Sequence, residues 1–343
     1  MNPKVIIIIL NWNGLADSLE CLNSLAISSY SHTKIVIVDN GSTDHSAEII
    51  SQTYPQVDVI RNSENEGFCK GNNIGIRYAL ERGAEYVWLL NNDCVVEGDT
   101  LMRLIETAES SSEIGLVSPV IRYFGETTKV QFAGSYIDTA TFDIHYPEKK
   151  ESAAAVFQIG PSVILWGTAL LIKKAVIEKI GLLDERFFAY WEDTEYSLRS
   201  LKNGYRNVVC SAARVYHKRK LTSEGEETKK SAYFYYYLER NYILLRRQEI
   251  HEGFAKVRFY LMALAVASAH TLRCPRESVD VALTGVWHGL KGISGPFKGE
   301  PRMPIMLRNI LLIASRIHPV FLINLLTFNV KATYKCFLKW DKR

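Results

Sequence analysis

Short apolar runs alternate with amphipathic segments throughout the first 120 residues, and this alternation limits the folds open to the chain. Residues 5–10 and 34–38 are β-branched runs of strand length, and residues 57–60 form a shorter one. Between the first two runs, Leu15, Leu19, Leu22 and Ala26 recur at the spacing of one helix face. Strands that alternate with helices predict an α/β fold with a parallel sheet covered on both faces.

The clearest candidate site lies where a buried strand ends. The apolar run 86–90 leads directly into Asn91, Asn92 and Asp93. Open α/β sheets bind ligands at the carboxyl ends of their strands, and a carboxylate there suits Mg²⁺ or Mn²⁺ held together with a substrate phosphate. A polar turn that simply closes the strand is the alternative, because Asn and Asp favour turns.

Two further polar segments follow the second and third predicted strands. Asp39 ends the second strand and precedes Ser42, Thr43 and Asp44, which can cap the next helix. At the ligand-binding edge, Asp39 could also accept a hydrogen bond from a nucleobase or ribose. The segment 65–75 is rich in glycine and amides, which would allow close backbone approach to a ligand, although a plain strand-to-helix loop fits equally well. Dinucleotide-binding and P-loop fingerprints are absent from the sequence.

A carboxylate cluster and a histidine stand out in the second half of the sequence. Glu192, Asp193 and Glu195 lie at a predicted helix start, where acids complement the helix dipole. One of them could instead be a general base whose pKa is raised by the aromatic residues at 187–191. His217 follows a predicted strand and precedes three cations at 218–220, where a polyphosphate would be favoured; a lone histidine is more often structural.

Composition and charge constrain the rest of the chain. Apolar residues make up 47% of the sequence and charged residues 23%, as in a globular protein. Six scattered cysteines without a Cys-x-x-Cys pair fit a reducing cytoplasm, and residues 5–10 are too short for a signal peptide. The composition changes near residue 250, which predicts one domain at 1–250, with halves at 1–113 and 114–250, and a helical extension at 251–343.

The predicted extension is basic and apolar. Residues 254–343 carry 14 Lys and Arg against 4 Asp and Glu, which suits an anionic partner such as acidic lipid or nucleic acid. Residues 259–272 are uncharged but too short to span a bilayer, and the run 309–330 carries Arg316 at its centre. No nucleic-acid motif accompanies the charge, so we expect helices on an anionic membrane surface. A helical subdomain packed on the core is the alternative.

Taken in order, these motifs resemble glycosyltransferase family 2. They read Val-x-x-x-x-Leu-Asn-Trp-Asn, Val-Asp-Asn-Gly-Ser-Thr-Asp, Asn-x-Gly-Phe-x-x-x-Asn-Asn-x-Gly and Leu-Asn-Asn-Asp, followed by Glu-Asp and His. The resemblance covers about residues 4–248 and is strongest to the rhamnosyltransferase-like enzymes of bacterial surface polysaccharide synthesis. It implies a GT-A fold with a mostly parallel central sheet flanked by helices, a nucleotide-sugar donor, Mn²⁺ or Mg²⁺, and inversion at the anomeric carbon.

The resemblance also implies roles for individual residues. Asp39 would read the donor base, Asp93 would bind the metal, His217 would lie near metal and diphosphate, and Asp193 would be the catalytic base. Asn91 replaces the first Asp of the family's Asp-x-Asp motif, which weakens any claim that it binds metal. The nucleotide-sugar site would further include Asn11, Asn13, Asn65, Gly67, Asn73 and Asn92. Trp166, Gly167, Trp191 and Glu192 would lie in the acceptor or donor-sugar region, and Arg240-Asn241 matches the family without an assigned role.

The expected activity is transfer of a sugar from dTDP-rhamnose or a UDP-sugar to a hydroxyl of a saccharide or lipid-linked glycan. We expect it in the cytoplasm at the inner face of the membrane. Two alternatives remain at this point. A sugar nucleotidyltransferase would usually carry a Gly-rich basic loop where residues 11–15 stand. A nucleotide- or carbohydrate-binding protein could keep the fold without catalysis, although Asp93, Asp193 and His217 argue against that.

Overall fold

The computed structural model describes residues 2–137, 144–145, 163–218, 231–248, 274–298 and 302–314. The chain forms two compact units. The first comprises Met1–Glu185 and Glu192–Thr228, and the second comprises Arg186–Trp191 and Lys229–Arg343. The second unit thus begins before residue 250, where the composition changes.

The described elements of the first unit are twelve strands and six helices. The strands are β1 Val5–Asn11, β2 Thr33–Asp39, β3 Asp58–Arg61, β4 Tyr86–Asn91, β5 Cys94–Val96, β6 Ile114–Tyr123, β7 Glu126–Phe132, β8 Ser135–Ile137, β9 Ile144–His145, β10 Val163–Ile164, β11 Ala169–Lys173 and β12 Arg206–His217. The helices are α1 Leu15–Leu25, α2 Ser46–Thr53, α3 Gly67–Glu81, α4 Thr100–Glu109, α5 Lys174–Ile180 and α6 Glu192–Lys202.

The main sheet has the order β3-β2-β1-β4-β11-β6-β12-β5, with β7 paired to β6. Its first four strands are parallel, as the alternating pattern predicts. After residue 113 the sheet becomes mixed, because β11 runs antiparallel to both β4 and β6 while β12 runs parallel to β6. Parallel register places Asn11 beside Asp39 and Leu10 beside Asn91, so three strand ends meet at one level.

Strand β1 is buried on both faces, which explains its continuous apolar sequence. Ile7 and Trp88 belong to the core cluster on one face together with Leu22 and Leu104. On the other face, α3 approaches so closely that a Cβ on Gly75 would lie 2.5 Å from Ile8 Cγ2. The absence of a side chain at residue 75 therefore sets the distance between helix and sheet.

The second unit is helical where it is described. It contains α7 Ala232–Gln248, a 3₁₀ turn Arg276–Ser278, α8 Val279–Lys291 and α9 Ile305–Ala314. Helices α7 and α8 pack through a close backbone approach, since a Cβ on Gly285 would lie 2.3 Å from the Tyr236 carbonyl oxygen. Tyr242, Ile243 and Val286 form part of the apolar cluster between them.

The membrane-surface helices expected in the tail fall largely on residues 259–272 and 315–330, which lie outside the described residues. Within the part of the chain that the structure describes, every helix is too short or too polar to cross a membrane.

Candidate active site

The carboxyl ends of β1, β2 and β4 are joined through the side chain of Asn11. This residue is fully buried. Its Nδ2 donates to Asp39 Oδ1 at 2.9 Å, while its Oδ1 accepts hydrogen bonds from Ser18 Oγ at 2.8 Å and Asn92 Nδ2 at 3.3 Å. The side-chain amide of Asn11 thus connects Asp39, predicted to bind the nucleobase, with the strand end that leads to Asp93.

The loops after β1 and β2 are tied to each other by a second set of bonds. Ser42 Oγ accepts a hydrogen bond from the backbone amide of Asn13 at 2.9 Å. The side-chain oxygen of Asn13, Oδ1, accepts one from the backbone amide of Thr43 at 2.7 Å. The Ser42 amide donates to Asp39 Oδ2 at 3.2 Å. Both oxygens of the buried Asp39 carboxylate are therefore held in place, and the predicted nucleotide residues Asn11, Asn13 and Asp39 lie together.

Asn40 organises the loop after β3 and was not among the residues singled out from the sequence. Its Nδ2 donates to Asn65 Oδ1 at 3.0 Å and to the Gly67 carbonyl at 3.2 Å. Its Oδ1 accepts hydrogen bonds from Asn62 Nδ2 and the Glu66 amide. Asn65 and Gly67 thus lie beside the Asp39 strand end. In the sequence, Asn40 was marked by its place directly after Asp39 within the motif Val-Asp-Asn-Gly-Ser-Thr-Asp.

Asn73 occupies a different environment from the other predicted nucleotide residues. It is buried within α3, its Nδ2 donates to the Leu183 carbonyl at 2.9 Å, and its Oδ1 accepts from the Leu183 amide at 3.0 Å. A further bond runs from Nδ2 to Glu185 Oε1. These bonds attach α3 to the loop at residues 183–185. A direct role for Asn73 in nucleotide binding stays a prediction.

Asp93 and His217 are brought together by the antiparallel pairing of β5 with β12. His217 pairs with Cys94 across these strands, and its Nε2 lies 3.1 Å from Asp93 Oδ2. Asp93 Oδ1 is buried and has no hydrogen-bond partner among the described residues. Burial raises the pKa of Asp93, but the hydrogen bond and charge of His217 outweigh it and hold the pKa below its usual range.

The donor atoms at this corner fit a hard divalent cation. Asp93, Cys94 and His217 form a group within the described residues whose ligand atoms lie within 4.8 Å of one another. Burial raises the pKa of the Cys94 thiol well above its usual value, so the thiol stays protonated and is a poor ligand. A carboxylate and an imidazole remain, with an unpartnered carboxylate oxygen, and such an incomplete set leaves coordination positions for phosphate oxygens and water.

The cation after His217 is already paired. Lys218 Nζ lies 2.6 Å from Asp17 Oδ1 and also contacts Glu20 of the same helix. Its charge is therefore balanced by two carboxylates, so it offers less to a polyphosphate than the sequence indicated. Residues 219 and 220 lie outside the described residues.

Asp193 lies in the first turn of α6, as predicted. Its Oδ2 accepts a hydrogen bond from the Gly167 amide at 3.1 Å, and its Oδ1 accepts one from the Thr194 amide at 2.7 Å. Burial raises the pKa of Asp193 by more than these bonds lower it. A Cβ on Gly167 would lie 3.2 Å from Phe68, so residue 167 has little room for a side chain.

Two adjacent residues, Gly167 and Thr168, connect Asp193 with the end of β4. Gly167 donates to Asp193, and the carbonyl of Thr168 accepts a hydrogen bond from the Asn91 amide at 2.9 Å. Trp166, on the other side of Gly167, stacks on Phe132 with ring centroids 4.2 Å apart. Trp166 and Gly167 thus lie in the segment that leads into the antiparallel strand β11.

Comparison with known proteins identifies the family. Residues 5–181, more than half of the chain, match the family described as "Glycosyl transferase family 2". The chain belongs to this family. As a glycosyltransferase it is an enzyme, so the readings as a sugar nucleotidyltransferase and as a non-catalytic binding protein are set aside.

Relatives and solved structures agree with the family and the fold. The chain is 24% identical to the low-salt glycan biosynthesis hexosyltransferase Agl10 of Haloferax volcanii, over 76% of this chain and 84% of that protein. It is also 24% identical to the dTDP-rhamnosyl transferase RfbF of Shigella flexneri, over 63% and 70%. The structure of GalNAc-T7 with UDP, GalNAc and Mn²⁺ matches with a TM-score of 0.57 and 17% identity, over 85% of this chain and 56% of that one. The predicted GT-A fold is confirmed.

Arg240 and Asn241 of this glycosyltransferase hold the segment 186–191 of the second unit. The fully buried Asn241 amide donates to the carbonyls of Phe187, Ala189 and Tyr190 at 2.7–2.8 Å. Arg240 donates to Phe187 at 2.6 Å. Phe188, Tyr190 and Trp191 have positive φ angles, a strained conformation that these bonds stabilise.

Trp191 and Glu192, both predicted for the sugar region, lie where the sequence passes from the second unit back to the first. Trp191 donates from its indole nitrogen to the Leu238 carbonyl at 3.0 Å within the second unit. Glu192 is buried as the first residue of α6 in the first unit. Their predicted contacts with sugar stay predictions.

We predict that Asn92→Asp destabilises the glycosyltransferase by about 1–3 kcal/mol. The Asn92 amide donates to Asn11 Oδ1, to Ser18 Oγ and to the Gly14 carbonyl, and a carboxylate would face these oxygens without a proton to donate. Urea unfolding monitored by circular dichroism measures the loss.

The matched control is Asn91→Asp, one residue earlier, which adds the same charge outside this network and should cost much less. An equal loss in both variants would mean that charge alone, and not the amide bonds of Asn92, accounts for the effect.

Proposed function

We propose that the enzyme transfers a sugar from dTDP-rhamnose or a UDP-sugar to a hydroxyl of a saccharide or lipid-linked glycan, with inversion and with the help of Mn²⁺ or Mg²⁺. The observation that carries the proposal is the Asp93–His217 pair with its buried, unpartnered carboxylate oxygen. This pair lies on the strand end next to the Asn11–Asp39 contact. A nucleotide-sugar donor requires one site for its nucleobase and, next to it, a cation site for its diphosphate.

Asp193 is the group proposed to take the proton from the acceptor hydroxyl. Its raised pKa makes it a stronger base than an exposed aspartate, and general base catalysis typically contributes about 10²–10⁴-fold. The Gly167 and Thr194 amides hold the carboxylate in one orientation. Direct attack of the deprotonated hydroxyl on the anomeric carbon is one displacement, and one displacement inverts that carbon.

Asp93 and His217 would hold the divalent cation. When bound, such a cation stabilises negative charge on the departing diphosphate. Asp93 keeps its charge at neutral pH because its pKa is held low, so the carboxylate is ready to bind the cation without losing a proton first. The Mn²⁺ in the GalNAc-T7 structure supports this assignment by analogy.

Asp39 and the basic tail indicate the classes of donor and acceptor. Asp39 can accept a hydrogen bond from the N3–H of thymine or uracil, so both bases suit the site. The similarity to RfbF, named as a dTDP-rhamnosyl transferase, favours dTDP-rhamnose as the first donor to test. The basic composition of residues 254–343 supports contact with an anionic membrane at its cytoplasmic face, where lipid-linked glycans would be available.

We predict that Asp193→Asn lowers kcat by at least about a hundredfold while donor affinity stays nearly unchanged. The amide is similar in size but cannot accept the proton. Steady-state kinetics and calorimetric donor titration give the two quantities.

Asp99→Asn is the control for loss of a negative charge. Asp99 forms an exposed ion pair with Arg103 at the start of α4, and its variant should keep wild-type turnover. If Asp193→Asn turns over as fast as this control, Asp193 is not the base.

We predict that kcat/KM falls on acidification with a midpoint above about pH 4, the ordinary aspartate value. The deprotonated form of Asp193 is the active one, and burial raises its pKa, so activity is lost as the pH falls through that raised value. Because the folded state then binds the proton more tightly than the unfolded state, this protonation does not itself unfold the protein.

Circular dichroism at each pH separates loss of activity from loss of fold. The residual activity of Asp193→Asn should lack this acid limb. A wild-type profile that stays flat down to pH 4 would contradict the raised pKa.

A further inference from the structure

We propose that Gln131 is a positioning residue for the metal site: it fixes the tautomer of His217 so that the Nε2 lone pair faces the cation position beside Asp93. This inference rests on the proposed metal role of Asp93 and His217. Gln131 lies on β7, 4% exposed, and neither its sequence position nor any recognised motif assigns it a role.

The contact between Gln131 and His217 determines which ring nitrogen carries hydrogen. Gln131 Oε1 lies 2.8 Å from His217 Nδ1 in the buried interior. A carboxamide oxygen can only accept a hydrogen bond, so Nδ1 carries the hydrogen of this contact and Nε2 is the ring nitrogen that faces Asp93 and the cation position. Metal-binding histidines are commonly oriented in this way by a partner on the other nitrogen.

The surroundings of Nε2 agree with a cation at this position. His217 Nε2 lies 3.1 Å from Asp93 Oδ2, which is also an acceptor, and two facing acceptors require a proton or a cation between or beside them. Asp93 Oδ1 has no partner within the described ranges of the chain. With Nδ1–H donated to Gln131, a divalent cation would satisfy both Nε2 and the carboxylate.

A β-bulge gives Gln131 its position. In the pairing of β7 with β6, Phe132 lies opposite Ile121 and Val130 lies opposite the next residue, Arg122, so Gln131 is an extra residue without a partner in the ladder. Bulges redirect side chains and are frequent beside active sites. The neighbouring Phe132 is fixed by its stacking on Trp166. The bulge therefore turns Gln131 toward His217 between two paired residues, Val130 and Phe132, and a second irregularity follows at residues 127–129.

Gln131 itself is not fully satisfied by the protein. Its Nε2 is buried and has no hydrogen-bond partner in the described part of the chain. A buried amide nitrogen without a partner loses its solvation by water, so an apolar side chain of similar size would pack there with a smaller loss. The contact that distinguishes glutamine from such a side chain is the one with His217.

The opposite orientation of the amide gives a different prediction. If Nε2 of Gln131 donated to Nδ1, the ring hydrogen would sit on Nε2 and point at Asp93, and no lone pair would face the cation. Oxygen and nitrogen of an amide are close in size, so the assignment is tested best by a side chain that can only accept. Glutamate is nearly the same size as glutamine and accepts through both oxygens when ionised.

The test measures the Mn²⁺ affinity of the 343-residue chain by calorimetry, with Mn²⁺ alone and with UDP or dTDP present. Gln131→Met should weaken Mn²⁺ binding by about 10–100-fold, as expected when the partner of a metal-binding histidine is removed. Gln131→Glu should bind Mn²⁺ at least as tightly as the wild type. Gln52→Met, an exposed change on α2, is the matched control and should have no effect.

Nitrogen-15 NMR of histidine in the metal-free protein provides the second readout. The wild type and Gln131→Glu should show His217 protonated on Nδ1, and Gln131→Met should show a mixture of tautomers. Equal Mn²⁺ affinity in Gln131→Met and wild type, or a loss in Gln131→Glu as large as in Gln131→Met, would overturn the role of Gln131.

Failure of the proposed function gives a different result from failure of this inference. A wild-type protein that binds no Mn²⁺ in either condition would remove the metal role of Asp93 and His217, and the positioning role with it. A wild-type protein that binds Mn²⁺ although Nδ1 of His217 carries no proton in the metal-free state would leave the metal role standing and refute Gln131 alone.

Discussion

The hydrogen bonds of the buried Asn11 amide are the interaction on which the rest of the site depends. They connect the ends of β1, β2 and β4, and they can form because the parallel register brings Asn11, Asp39 and Asn91 to one level. A shift of one residue would turn Asn11 to the other face of the sheet. The apolar contacts of Ile7 and Ile8 on opposite faces of β1 therefore fix the position of the edge that carries Asn11 and Asp39, and they also stabilise the sheet.

The second half of the first unit completes the site by a different means. Strand β11 runs antiparallel to β4, and the turn before it contains Gly167 and Thr168. Gly167 donates a hydrogen bond to Asp193, and the Thr168 carbonyl accepts one from the backbone amide of Asn91. Strand β12 ends at His217, next to Asp93. The proposed base and the proposed cation ligands thus come from distant parts of the sequence and are linked through one two-residue segment. Separate contacts hold the two groups: His217 lies against Asp93, and the backbone amides of Gly167 and Thr194 bind Asp193.

Sequence patterns predicted the parallel half well because each strand there is a continuous apolar run ending in polar residues. Asp93 and Asp193 were recognisable for the same reason, since they follow a clear strand and begin a clear helix. The antiparallel part was not predicted, because the irregular pattern of residues 114–170 identifies strands without their partners. Asn40 and Gln131 were missed because their importance lies in what they contact. A bulge at Gln131 depends on strand pairing and leaves no mark in the local sequence.

The central claim is that the edge formed by Asn11, Asp39 and the Asp93–His217 pair is a metal-assisted donor site. Calorimetric titration of dTDP-rhamnose and UDP-sugars into the purified enzyme, with Mn²⁺ and then with excess chelator, tests it most directly. The account predicts that at least one donor binds with Mn²⁺, that chelator abolishes this binding, and that Asp93→Asn binds the donor more weakly than wild type at the same Mn²⁺ concentration. Donor binding of equal strength in chelator and in Asp93→Asn would contradict the account.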